Sequence, residues 1–107
     1  MTNTKIKTKY DYYDSLDLIN LEFKQDYNYK NTIELEYGVN LDFDTENTPV
    51  NLEIDSASKY MDISKYYLIN PKVKVEIITD KNIEIKIEFE FKNTSKKVLN
   101  FKTSPDL

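Results

Sequence analysis

The chain predicts an α+β domain: a largely antiparallel, meander-like sheet, open or closed into a small barrel, of six to seven strands, with one short helical segment near residues 56–70. Three observations predict it. In residues 72–91, Ile83, Ile85, Ile87, Phe89 and Phe91 alternate with Glu84, Lys86, Glu88 and Glu90, and Val73, Val75 and Ile77 alternate with Lys72, Lys74 and Glu76. A period of two is the side-chain period of a strand with one buried face. In residues 33–43 every odd position is apolar, which repeats that signal. Only residues 56–70 space their apolar side chains as a helix does.

Residues 5–10 read as the first strand, with Ile6, Thr8 and Tyr10 on one face and lysines on the other. Asp and Tyr at 11–15 make a turn. The second strand, 16–23, changes apolar parity from Leu16 and Leu18 to Ile19, Leu21 and Phe23, so it needs a bulge near Leu18 or burial of both faces. A polar loop follows at 24–31.

The run Ile33, Leu35, Tyr37, Val39, Leu41, Phe43 contains Gly38, the one glycine, where a bend, turn or bulge would divide it into two strands. Val50, Leu52 and Ile54 form the next strand. Looping 45–48 pairs Phe43 with Val50, Leu41 with Leu52 and Val39 with Ile54, which sets Asp42 against Asn51 and Asn40 against Glu53. The carboxylates then touch only on diagonals.

In the helical segment Ser56 is placed to cap, and Ala57, Tyr60 and Met61 share a face. Asp62 or Ser64 is placed to start a second turn, and Pro71 ends the segment. Next comes the hairpin through Asp80, Lys81 and Asn82, with Asn82 at the left-handed position. It faces Ile77 to Ile85, Val75 to Ile87 and Val73 to Phe89, and on the other side Glu76 to Lys86, Lys74 to Glu88 and Lys72 to Glu90. A one-residue slip would set apolar groups against charges, so the register is well specified. A turn at 93–97 leads to a last strand, 98–102, where Lys92, Lys96, Lys97 and Lys102 discourage edge-to-edge pairing. The tail, 103–107, frays.

At 107 residues this is one domain, able to bury roughly two-thirds of its unfolded surface. Cysteine is absent, which removes disulfides, thiolate nucleophiles and thiolate metal sites. Histidine, arginine and tryptophan are absent too, so the proton shuttle of neutral pH, imidazole ligands and the bidentate fork for phosphate or guanine are all missing. The composition names no cofactor. No apolar run approaches the twenty residues of a membrane span, and residues 1–9 lack an apolar signal core, so the expected location is cytoplasmic. Abundant Asn, Lys, Ile and Tyr point to an AT-rich genome.

Charge is unevenly spread. Residues 10–62 carry thirteen acids against three lysines, whereas 63–107 carry nine lysines against six acids. Two solvated sheet faces would explain this. That is the first reading; the sharper one is a patch for a basic partner, or head-to-tail self-association. All nine tyrosines lie between Tyr10 and Tyr67, seven of them in the acidic part, so phosphate would be repelled and nucleic acid is not the expected partner. Tyr10, Tyr12, Tyr13, Tyr27 and Tyr29 read instead as loop packing or interface anchors.

The succession Tyr10-Asp11, Asp14, Gly38-Val39-Asn40-Leu41-Asp42-Phe43-Asp44, Val50-Asn51-Leu52-Glu53-Ile54 and Ala57-Ser58-Lys59 resembles domain-of-unknown-function family 2283, a group of short prokaryotic proteins. The resemblance covers residues 5–61, the family-like β core. Residues 64–91 are similar to an extension of longer members, within residues 62–102, which comprise the helix end, a hairpin and an edge strand. The family's glycines after the aspartates and in its V-G-I-E-I strand are replaced here around Asn47 and by Asn51. The resemblance implies a compact β-rich domain and no activity; an antitoxin-like partner role is its one functional suggestion.

Two chemistries can be drawn on the acids. Asp42, Asp44 and Glu46, with Glu53, fall at calcium-loop offsets, but Asn47 stands where the loop's glycine belongs and strands flank it, so Asp42, Asp44 and Glu53 make at most a weak cation site. Asp42 and Glu53 also resemble a glycosidase pair, yet diagonal acids on an exposed face should stay ionised and wet. No catalytic residue is therefore expected. The leading expectation is a non-enzymatic interaction module using Asp42, Asp44, Glu53 and Asp55 against lysines of a partner, or self-association through the 72–91 hairpin or the last strand.

Overall fold

A computed structural model of the protein describes residues 2–104, with 2–6 as backbone only. Among these residues there are nine strands: β1 (Thr2–Ile6), β2 (Lys9–Tyr13), β3 (Leu18–Glu22), β4 (Tyr29–Glu36), β5 (Val39–Asp44), β6 (Pro49–Ile54), β7 (Lys72–Thr79), β8 (Ile83–Glu90) and β9 (Lys96–Thr103). One α-helix, α1 (Ala57–Met61), and a 3-10 turn, Lys65–Leu68, lie between β6 and β7. The α+β expectation holds, but six to seven strands was too few. One reason is visible at the N-terminal end of the domain.

The strands form two open antiparallel sheets, β1-β7-β8-β9 and β2-β3-β6-β5-β4, in place of one meander or a barrel. The larger sheet contains a Greek key: β4, β5 and β6 are successive neighbours, and β6 returns to lie beside β3. The expected strand at 5–10 is two strands. Ile6 is in register with Val75 of one sheet and Tyr10 with Leu21 of the other, so the chain changes sheets at Lys7 and Thr8. That switch wraps both sheets around one core.

Ile19, Leu21, Leu41, Leu52 and Ile54 from the larger sheet meet Ile85, Ile87, Phe89, Leu99 and Phe101 from the smaller in one buried cluster. Burying each such side chain contributes about 1.5–3 kcal/mol relative to exposure. The Tyr10 ring packs edge-on to Phe89 with centroids 6.2 Å apart. Its hydroxyl donates to the Leu68 carbonyl at 2.6 Å, which holds the 3-10 turn over the core.

The β7–β8 register is the expected one, pair for pair. Asn82, however, is not left-handed; the loop closes through the Asp80 N–H donating to the Asn82 carbonyl at 3.0 Å. The hairpin also has no free edge, because β7 pairs with β1 and β8 with β9. Self-association by edge pairing is thereby closed to it, though not to β9.

Parity explains the other differences. Leu16 is not in a strand: it sits 68 % exposed in the β2–β3 turn, which Asp17 closes at φ 52°, and the apparent bulge disappears. Lys97 takes an inward position on β9 and donates to the Met61 carbonyl at the end of α1, so it is not a guard on the edge. Thr103 ends β9 opposite Ile83 instead of fraying, while 105–107 of the expected tail lie outside the described residues.

Candidate interaction surface

The alternation that buries one face of the larger sheet turns a polar face outward, and its registers arrange that face in two rows. One row runs Asp11, Asn20, Glu53, Asn40, Glu34 across β2, β3, β6, β5 and β4. The other runs Lys9, Glu22, Asn51, Asp42, Thr32. Apart from Lys9 at one end, acids alternate with uncharged residues within each row, so carboxylates in a row stand two strands apart, about 10 Å. This spacing lets like charges share one face without direct opposition.

The uncharged members tie the face together. Asn51 is buried and its amide donates to Asn20 Oδ1 at 2.8 Å. Thr32 donates its hydroxyl to Asp42 and lies within hydrogen-bond distance of the Tyr29 hydroxyl, 2.7 Å away. Glu53 is the strained member: partial burial, then the nearby charges of Asp42 and Asp55, push its carboxyl above the usual carboxylate range. Glu53, one of the two acids drawn as a pair, is thus partly withdrawn from water. Burial, and then the nearby charges of Asp42 and Glu22, push the phenol of Tyr27, in the loop before β4, above its ordinary range.

Asp44 does not belong to this face. A register shift between Asp42 and Phe43 pairs Phe43 with Pro49 instead of Val50, and it turns Asp44 inward to 2 % exposure. There Asp44 Oδ1 accepts the Glu46 and Thr48 N–H groups at 2.9 Å each, and Oδ2 accepts Lys24 Nζ at 3.1 Å. Burial alone would raise its pKa, but the bonds from Thr48, Lys24 and Glu46 outweigh it and hold the carboxyl below its ordinary value. The proposed ligands Asp42, Asp44 and Glu53 are thus not brought together, and among the described residues no group of three or more acids is arranged to hold a metal ion.

Asp55 lies just past β6, exposed, with its N–H donating to the Gly38 carbonyl at 2.7 Å. Gly38 occupies the β4–β5 turn at φ 82°, so the glycine does divide the 33–43 run. Tyr37 beside it is 95 % exposed, although the apolar alternation had placed it inward. Two grooves border the face. One, of about 540 Å3, is lined by Lys7, Thr8, Lys9, Glu22, Phe23, Lys24 and Gln25. The other, of about 510 Å3, is lined by Glu34, Tyr37, Gly38, Asp55, Ser56, Lys59 and Tyr60. Asp42 and Glu53 line neither, so the drawn glycosidase pair stands on sheet surface outside both.

No family model, curated protein or solved structure matches this chain. The geometry of the face therefore carries the functional reading by itself.

The outer side of the smaller sheet is built differently. Register opposes Lys72 and Lys96 to Glu90, Lys74 to Glu88, Lys86 to Glu76 and Lys102 to Glu84. Each sign meets its opposite there, whereas on the larger sheet Lys9 is the only cation in the two rows. Asp11, Glu22 and Glu34 were missed as members of the acidic face because their strand boundaries were displaced or their partners unassigned. The β3–β6 pairing that joins the two halves of the rows is long-range and left no local signal.

Proposed function

We propose that this protein is a cytoplasmic, non-enzymatic interaction module that docks a lysine-bearing partner protein on the outer face of its five-stranded sheet. The observation that carries this is the contrast between the two sheets. Asp11, Glu22, Glu34, Asp42 and Glu53 stand in rows that hold one lysine, while the lysines and glutamates of the other sheet are opposed in register. An acidic surface of this kind steers and orients a basic partner. Exposed Tyr13, Tyr27 and Tyr29 on the same sheet or its loops add amphipathic contact area suited to an interface.

Of the original candidates, Asp42, Glu53 and Asp55 remain in this role and Asp44 leaves it. The residues behind the resemblance to family 2283 have structural duties here: Gly38 turns the β4–β5 hairpin, Asp44 closes the β5–β6 turn, and Ser58 donates to the Asp17 carboxylate at the start of α1. Membership in that family, and an antitoxin-like role with it, would fit a scaffold presenting such a face. The direct test is titration calorimetry with a lysine octamer at low ionic strength. Saturable binding that weakens with added salt and with Asp42→Lys plus Glu53→Lys supports the reading; heat that neither change alters overturns it.

A further inference from the structure

We infer that the groove beside Gly38 is the seat for a single lysine side chain of the partner, an inference that rests on the acidic-face reading. The groove encloses about 510 Å3 between Tyr37 and Tyr60, with Glu34 and Asp55 among its lining residues. Two aromatic rings and two carboxylates make the chemistry that receives an ammonium on an apolar stem: the rings cover the methylenes and attract the cation, and the acids pair with the charge. Tyr60 is held in place by its hydroxyl, which donates to Glu36 Oε1 at 2.8 Å. Burial and this carboxylate push that phenol up to about 12, so it stays neutral. Tyr37 has no such support; at 95 % exposure it is a large ring presented to solvent on a turn, free to close over a guest. Gly38 lines the groove without a side chain, and the nearest atoms to a Cβ built there, Asp55 Cβ and carbonyl oxygen, lie 3.6 Å away.

The guest comes from another chain. Lysines on the smaller sheet stand opposite glutamates in register, and Lys24 is engaged with Asp44. Lys59, on α1, lines the groove itself, yet among the described residues the Lys24–Asp44 contact is the one ion pair. Lys59 is thus a resident cation that a guest lysine must displace or tolerate.

The test uses a pentapeptide with one central lysine, glycines around it and both ends blocked, titrated into 15N-labelled full-length protein. The expected result is saturable shifts of the Gly38 and Ser56 amides with a Kd on the order of millimolar, since one exposed ammonium contact is weak. The same peptide with norleucine should give none. Tyr37→Leu should weaken binding roughly five-fold, and Lys59→Gln should strengthen it two- to five-fold by removing the competing cation. Tyr37 is exposed enough for its replacement to leave the fold intact, and the spectrum of each variant checks this. If the lysine octamer binds the sheet face while the pentapeptide leaves Gly38 and Ser56 unmoved, the groove inference falls and the acidic face stands. If neither peptide binds, both fall. Equal shifts from the lysine and norleucine peptides would also overturn the inference, as would concentration-dependent dimers abolished by Tyr37→Leu, because the groove would then serve a second copy.

Discussion

Asp17 caps a helix that begins forty residues after it. Its carboxylate accepts the Ser58 N–H at 3.0 Å and the Ser58 hydroxyl at 2.6 Å, while its own carbonyl accepts the Ala57 N–H at 2.8 Å. Tyr12 adds its hydroxyl to Oδ1 at 2.7 Å. Ser56, the cap expected from local sequence, is left-handed at φ 49° and makes no side-chain cap bond. The β2–β3 turn and α1 are therefore one structural unit. Asp17→Ala should cost about 1–2 kcal/mol in urea unfolding, the worth of a strong helix cap, and Ser56→Ala no measurable amount by this mechanism.

Asp44→Ala should cost more, about 2–3 kcal/mol, because it leaves the Glu46 and Thr48 N–H groups and Lys24 without their shared acceptor. Chemical denaturation with an unchanged m-value would register this as a loss of stability alone.

Asp17 and Asp44 both set the acid limit of stability. For each, burial raises the pKa, but hydrogen bonds outweigh it and the folded value lies below the ordinary 3.8. Their contribution is complete above that ordinary value and disappears as pH falls through the lower folded values. Wild-type melting temperature should drop steeply below about pH 4, and Asp44→Asn should flatten part of that drop.

Glu53 has the opposite sign. Its folded pKa lies above the ordinary 4.5, so the native state holds the proton more tightly and the ionised group opposes folding once pH exceeds the folded value. Glu53→Gln should raise the melting temperature at pH 7, with the gain fading as pH falls toward 4.5 and absent below it, while weakening lysine-octamer binding. A residue that costs stability and supports binding is what a functional face predicts.

Gly38→Ala should destabilise by about 1–2 kcal/mol through its left-handed backbone, because a Cβ there meets only ordinary contacts. Gly38→Asn should cost less, since asparagine tolerates that conformation.

Legibility in the sequence followed locality. The β7–β8 hairpin could be read residue by residue because each partner lies within one turn of the other, and the pairs Leu41–Leu52 and Val39–Ile54 could be read for the same reason. The sheet switch at Lys7 and Thr8 could not, since the alternation from Ile6 to Tyr10 continues unbroken while the partner strand changes. Leu16 and Tyr37 misled because an apolar residue in a turn carries the same letter as one in a core. Asp44 misled because a bulge reverses parity without altering composition. The acidic face was half legible: Asp42 and Glu53 came from a local hairpin, but the rows that extend them to Asp11 and Glu34 exist only once β3 meets β6.

The most direct test of the acidic-face account is an amide-shift map of the 15N-labelled protein titrated with the lysine octamer. The account places the largest shifts at Asn20, Asn40, Asp42, Asn51 and Glu53, with Lys74, Lys86 and Asn100 of the other sheet unmoved. Shifts centred on that second sheet, or none at saturating peptide, would contradict it.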